Sequence, residues 1–156
     1  MTKQGPESWQ PVAFHLAQVG AFAAQRFAER VGELGLQPSD VGILRIISRH
    51  ESALSQQALA GVLGVGPSRV VALIDGLEKK DLVARTRSAR DRRNYELTLT
   101  DAGREAMAKM RQVGSTHDRD VTGVLTADER ATLGSLLGKL AEAHGLTEGV
   151  HPGYRG

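Results

Sequence analysis

The run Arg85-Thr86-Arg87-Ser88-Ala89-Arg90-Asp91-Arg92-Arg93 holds five arginines and one acid. Guanidinium groups at this density attract phosphate, and each presents a planar fork of donors suited to anions and base edges. The run lies between Leu82-Val83-Ala84 and Tyr95-Glu96-Leu97-Thr98-Leu99, whose alternation predicts the two strands of a ribbon. A basic tip on a tight hairpin has the shape of a DNA groove reader. The whole chain carries a formal charge of only +2, whereas residues 85–93 carry +4, five arginines less one aspartate. The cationic character is therefore local. A charge run is ordinarily a solvated face, but these arginines fall at a predicted turn and not along a helix.

A second set of candidates lies just upstream. Ser55 reads as the N-cap of a helix Gln56–Leu63, Gly64-Val65-Gly66 as a turn, and Pro67 as the first residue of a longer helix reaching Lys80. A short helix, a glycine turn and a longer helix predict a helix-turn-helix. The first turn of the second helix then offers Pro67, Ser68 and Arg69 to base edges, with Arg69 suited to a guanine. Ser55 and Gln56, at a helix start where backbone N–H groups point outward, suit phosphate. On the hairpin, Arg90, Arg92 and Arg93 are expected in a groove or on phosphates, Arg85 and Arg87 on phosphates, and Asp91 is expected to orient a neighbouring arginine.

These elements need a scaffold. Apolar residues from Val12 to Leu34 recur at helical steps, predicting a helix over Gln10–Leu34. Pro38-Ser39-Asp40 opens a second helix, Val41–Arg49, and Glu51-Ser52-Ala53-Leu54 reads as a break. After the ribbon, Thr100 caps a long helix that Gly114 is expected to bend. Thr126-Ala127-Asp128-Glu129 has a capping-box layout and opens a last helix to His144. The fold expected is mainly α: a winged helix-turn-helix with a two-stranded β wing, flanked by N- and C-terminal dimerisation helices. We assign residues 36–100 to the DNA-binding lobe, 10–35 and 101–144 to a helical dimerisation region, and 145–156 to a tail without periodicity, within one domain spanning 1–156. The apolar stripes at both ends exceed what one small domain covers, and a second copy would bury them.

Composition narrows the classes. The chain has 156 residues, no cysteine, 40% hydrophobic and 24% charged residues. Lack of cysteine excludes disulfides, thiolate zinc sites and thiol sensing. No apolar run is long enough for a membrane helix and the first residues lack a signal-like apolar segment, so a cytoplasmic protein is expected. His15, His50, His117, His144 and His151 lack the spacing that pairs ligands on a helix face, so no metal is expected. Phosphate-loop, nucleophile-elbow and zinc-protease motifs are absent, so an enzyme is not expected.

The wing sequence Asp91-Arg92-Arg93-Asn94-Tyr95-Glu96-Leu97-Thr98-Leu99-Thr100-Asp101-Ala102-Gly103 closely resembles that of the multiple antibiotic resistance regulator (MarR) family, as does the helix-turn-helix over Leu59–Val65 and Val70–Glu78. The resemblance covers roughly residues 12–144. It implies a homodimer with interlocked terminal helices that represses neighbouring genes from palindromic DNA sites. It further implies no cofactor, and release by a small, often phenolic or aromatic, effector where the first, second and fifth helices meet the DNA-binding lobe. Phe14, His15, Gln18, Phe22, Arg45 and Ile46 are the lining this implies, with Trp9 as an aromatic cap. Arg93 takes the family's wing position. One departure stands out: the family usually has an arginine after the recognition-helix aspartate, and here Gly76 follows Asp75. Two other readings are an architectural protein that coats DNA without a ligand and a winged-helix module that pairs with protein. The basic wing disfavours the module.

Overall fold

The computed structural model describes residues 11–50, 52–146 and 149. Trp9, Gln10, Glu51, His151 and most of the expected tail lie outside the described residues. The elements in chain order are α1 (Val12–Gly32), α2 (Pro38–Arg49), β1 (Leu54–Ser55), α3 (Gln56–Leu63), α4 (Pro67–Lys79), β2 (Val83–Arg87), β3 (Tyr95–Leu99), α5 (Asp101–Thr122) and α6 (Ala127–Ala143). The fold is mainly helical with one small antiparallel sheet, a winged helix-turn-helix between outer helices.

Local chemistry explains most boundaries. The Ser55 hydroxyl accepts the Ala58 N–H at 3.0 Å to start α3, and Thr100 accepts the Gly103 N–H at 3.0 Å to start α5. At α6, Thr126 and Glu129 satisfy each other's backbone N–H groups. Gly64 ends α3 in the left-handed conformation at φ 65, which glycine adopts without steric penalty. The helices α3 and α4 then differ in direction by 110°, within the roughly 90–120° of helix-turn-helix units.

Helix ends shift by one or two residues, α1 stopping at Gly32, α4 at Lys79 and α6 at Ala143, and three larger departures from expectation stand out. The helix α2 begins at Pro38 instead of Val41, because Asp40 accepts the Gln37 N–H at 2.9 Å and completes a capping box. The same carboxylate receives the Lys80 ammonium at 2.6 Å, tying the start of α2 to the end of α4. The helix α5 runs unbroken through Gly114. The expected break after α2 contains a strand, so the sheet has three strands in the order β1-β3-β2. Leu54 pairs with Leu97, and Val83 through Arg87 pair with Leu99 through Tyr95.

The core sits almost wholly inside the lobe. Ile43, Leu44, Leu59, Leu63, Ile74, Leu77 and Leu97 are essentially inaccessible, and Val31 of α1 and Met110 of α5 close its top. Burying each such side chain contributes roughly 1.5–3 kcal/mol. The outer helices are different. No residue of α6 is buried, and Leu133, Leu136, Leu137 and Leu140 are all exposed. On α1 the gradient is visible along the helix: Val12, Leu16 and Val19 are exposed, Phe27 is half-buried and Val31 is buried. The first and fifth helices are pinned together by an ion pair between Arg30 and Asp120.

Candidate nucleic-acid interface

The wing is a short ladder closed by a tip of unusual internal order. Arg87 pairs with Tyr95 as the last rung. Beyond it the Ser88 N–H donates to the Asn94 carbonyl at 3.0 Å. Ser88 itself is buried. Its hydroxyl donates to Glu96 at 2.7 Å and accepts the backbone N–H groups of Arg90 and Asp91 at 3.2 and 3.4 Å. No expectation from the sequence falls on Ser88; its signal is the serine-centred turn that favours such residues.

Asp91 corrects one expectation. Its carboxylate accepts the backbone N–H of Arg93 at 3.0 Å and the side-chain amide of Asn94 at 3.1 Å. It shapes the turn, and among the described residues it forms no ion pair with a guanidinium. The guanidinium groups of Arg90, Arg92 and Arg93 have no ion-pair partner among the described residues, and all three side chains are exposed. Arg87 donates to the Arg92 carbonyl at 3.2 Å and lies over the Tyr95 ring at 5.6 Å.

Arg85 behaves differently from the other four. Its guanidinium bonds Asp75, Glu78 at 2.7 Å and the Gln56 amide oxygen at 3.3 Å, and it too lies 5.6 Å from the Tyr95 ring centre. Burial alone would lower its pKa, but the hydrogen bonds and charges of Asp75 and Glu78 outweigh that and hold it above the ordinary value. The expectation of a phosphate contact at Arg85 therefore gives way to an internal tie. The spacing of Asp75 and Glu78, neighbours on one helix face, was readable in the sequence; their long-range partner was not.

The first turn of α4 is open. Pro67, Ser68 and Arg69 are exposed, and Arg69 has no ion-pair partner among the described residues. At the start of α3, Ser55 uses its oxygen as a cap and Gln56 uses its carbonyl on Arg85, leaving one O–H and one amide NH₂ as donors. Gly76 faces open space: a β-carbon there would meet nothing within 4 Å beyond its own helix backbone.

The hairpin's base is fixed by Gly103. It is buried at the start of α5, against the Leu82 carbonyl that also accepts the Thr100 N–H at 3.2 Å. This contact gives the glycine of the wing signature a physical reason: the backbone of α5 lies directly on the strand entry.

The expected effector lining is only partly assembled. Phe22 lines a hollow of about 220 Å³ with Arg26, Arg30, His117, Asp120 and Val121. Phe14, His15 and Gln18 sit on the exposed part of α1, Arg45 is exposed on α2, and Ile46 is half-buried against the core. Burial and then the charge of Arg30 hold His117 below its ordinary pKa, against the opposing pull of Asp118 and Asp120. Its ring packs on Phe27 at 5.4 Å. Among the described residues no group of three His, Cys, Asp or Glu side chains is placed to hold a metal, and no single helix is long and apolar enough to cross a membrane.

Known proteins resemble this chain in sequence and shape. A family model described as MarR family matches residues 34–94. A putative transcriptional regulatory protein for the hcr operon of Thauera aromatica is 35% identical over 130 residues, covering 83% of this chain and 78% of that protein. The HTH-type transcriptional repressor MdtR of Bacillus subtilis (strain 168) is 31% identical over 119 residues, covering 74% of each. Among solved structures, the transcriptional repressor CouR bound to a 23-mer DNA duplex superposes with a TM-score of 0.75 at 30% identity, over 84% of this chain and 92% of that one. With this identity, this coverage and the same winged architecture, the chain belongs to the MarR family of transcription regulators, which are not enzymes.

Proposed function

We propose that this regulator is a homodimeric repressor that reads a palindromic DNA site and releases it when a small phenolic or aromatic effector binds. One observation carries the reading: an arginine-tipped hairpin is tied through Arg85 to the helix whose open first turn holds Ser68 and Arg69. In a two-fold dimer the two α4 helices enter successive major grooves, about 34 Å apart. Arg69 presents its fork to a guanine, a contact worth ~1–3 kcal/mol of discrimination. Pro67 and Ser68 set its approach. The remaining donors of Ser55 and Gln56 hold phosphates.

The exposed guanidinium groups of Arg90, Arg92 and Arg93 enter the flanking minor groove, where narrow A·T-rich tracts attract arginine. Arg87 lies beside them on the strand, and Asp91 keeps the tip in shape. The repressing sense is supported by relatives whose names call them repressors, one of them solved on DNA. Pairing of two chains is supported by the exposed apolar faces of α1 and α6, which a second copy covers. The effector acts where α1 meets α5, at the hollow that Phe22 lines, with Phe14, His15, Gln18 and Arg45 as exposed candidates beyond it.

Selection of duplexes from a random-sequence pool by the full chain, followed by footprinting, tests the reading. The expected product is an inverted repeat bound at least ~10³-fold more tightly than random duplex. Uniform binding across sequences overturns it in favour of a DNA-coating protein.

A further inference from the structure

We infer that Arg85 is a positioning residue for DNA reading, setting the angle between the wing and the recognition helix without touching the nucleic acid. The inference rests on the DNA-reading function proposed above. Three elements converge on this one cation of β2: Gln56 opens α3, Asp75 and Glu78 lie on α4, and Tyr95 starts β3. The side chain is only 14% exposed. A phosphate approaching it would meet two carboxylates sharing one guanidinium, a local charge of −1, and would be repelled. Lysine cannot replace the arrangement, because only a guanidinium spreads five N–H donors in a fixed fork.

The sequence at the next position gives the tie its weight. Gly76 has no side chain and faces open space, so α4 extends no long cation from that position toward the wing. The link between helix and hairpin runs instead from the strand side. Contact groups held on rigid elements act only when held within roughly 0.5 Å of their working geometry. Loosening Arg85 lets the three tip arginines swing relative to Arg69.

Electrostatics and positioning predict opposite signs, which makes the inference testable. Removing a carboxylate near DNA strengthens binding if charge alone matters. If the tie matters, Asp75→Asn weakens binding to the selected duplex roughly tenfold. Arg85→Lys, which keeps the charge, does the same, and Arg85→Gln leaves the slope of affinity against salt unchanged. A lost phosphate contact would instead lower that slope by about 1.

A second measurement needs no DNA. The chain has no cysteine, so spin labels at Ala72→Cys on α4 and Ala89→Cys on the tip, in labelled chain mixed with a large excess of unlabelled native chain, report the distance within one chain. A narrow distribution in the otherwise native chain, broadened by Arg85→Gln and by Asp75→Asn, supports the tie. Tighter DNA binding by Asp75→Asn, or an unchanged distance distribution in both variants, overturns it. A native chain that selects no duplex defeats the DNA reading, while the label distances still decide whether Arg85 braces the wing.

Discussion

Gly103 at the start of α5 lies against the Leu82 carbonyl so closely that a β-carbon there would overlap the oxygen. That carbonyl cannot retreat freely, because it accepts the Thr100 N–H at 3.2 Å and its residue's own N–H is bonded to Leu77 at 3.0 Å. Gly103→Ala is therefore expected to destabilise the fold by ~1–3 kcal/mol, the usual cost of overpacking. Because Leu82 leads straight into β2, the variant also displaces the wing. Denaturant melts read the first effect, and a weakened complex with the selected duplex reads the second. An unchanged melting midpoint would contradict the contact.

The wing and the recognition helix are expected to fail in different ways. Arg93→Ala weakens binding to all duplexes and reduces the salt slope, because an exposed tip arginine meets backbone and groove. Arg69→Ala weakens binding and also relaxes preference at one base pair, by ~1–3 kcal/mol of lost discrimination. Titrating both variants on the selected and a scrambled duplex at two salt concentrations separates them. Equal affinity of Arg93→Ala and native chain would remove the wing from the interface.

Gly76 sits inside α4 at a position where a methyl group meets nothing. Alanine is a better helix former there by ~0.8–1.0 kcal/mol. Gly76→Ala is expected to raise the melting temperature while leaving DNA affinity within twofold. A destabilised variant would reveal a contact that the helix face does not display.

His117 supplies a pH dependence. Burial and then Arg30 depress its pKa in the folded chain, so the unfolded chain takes up the proton first. The contribution is complete above the ordinary value of 6.5 and is lost as pH falls from there through the lower folded value. Comparing denaturant midpoints of the native chain and His117→Gln between about pH 7 and pH 5.5 isolates this histidine from the carboxylates. The native chain should lose more stability on acidification than the variant. Parallel curves would mean that His117 titrates as it does in the unfolded chain.

Much of this architecture is legible in the sequence because it is written in local signals. Ser55, Thr100 and Thr126 announce helix starts through side chains that reach only three residues ahead, and Pro67 does so through its fixed φ. The alternation around the arginine run announces the hairpin. What escapes is non-local. Leu54-Ser55 is too short to show periodicity, and pairing with Leu97 and Glu96 across the sheet makes it a strand. Arg85 reads like its four neighbours until Asp75 and Glu78 are brought beside it. Asp91 sits among arginines, yet backbone geometry decides that it holds the Arg93 N–H. The reach of α2 back to Pro38 depends on Asp40 serving two partners, one of them Lys80 forty residues on.

The buried hydroxyl of Ser88 has a thermodynamic consequence for recognition. A hairpin tip that wandered in the free protein would lose conformational entropy on settling into a groove, ~1–2 kcal/mol for each residue fixed. Here the hydrogen bonds around Ser88, Asp91 and Asn94 impose that ordering during folding. In the complex proposed above, the tip arginines meet DNA on a backbone already set, and their ordering on binding draws on side-chain freedom.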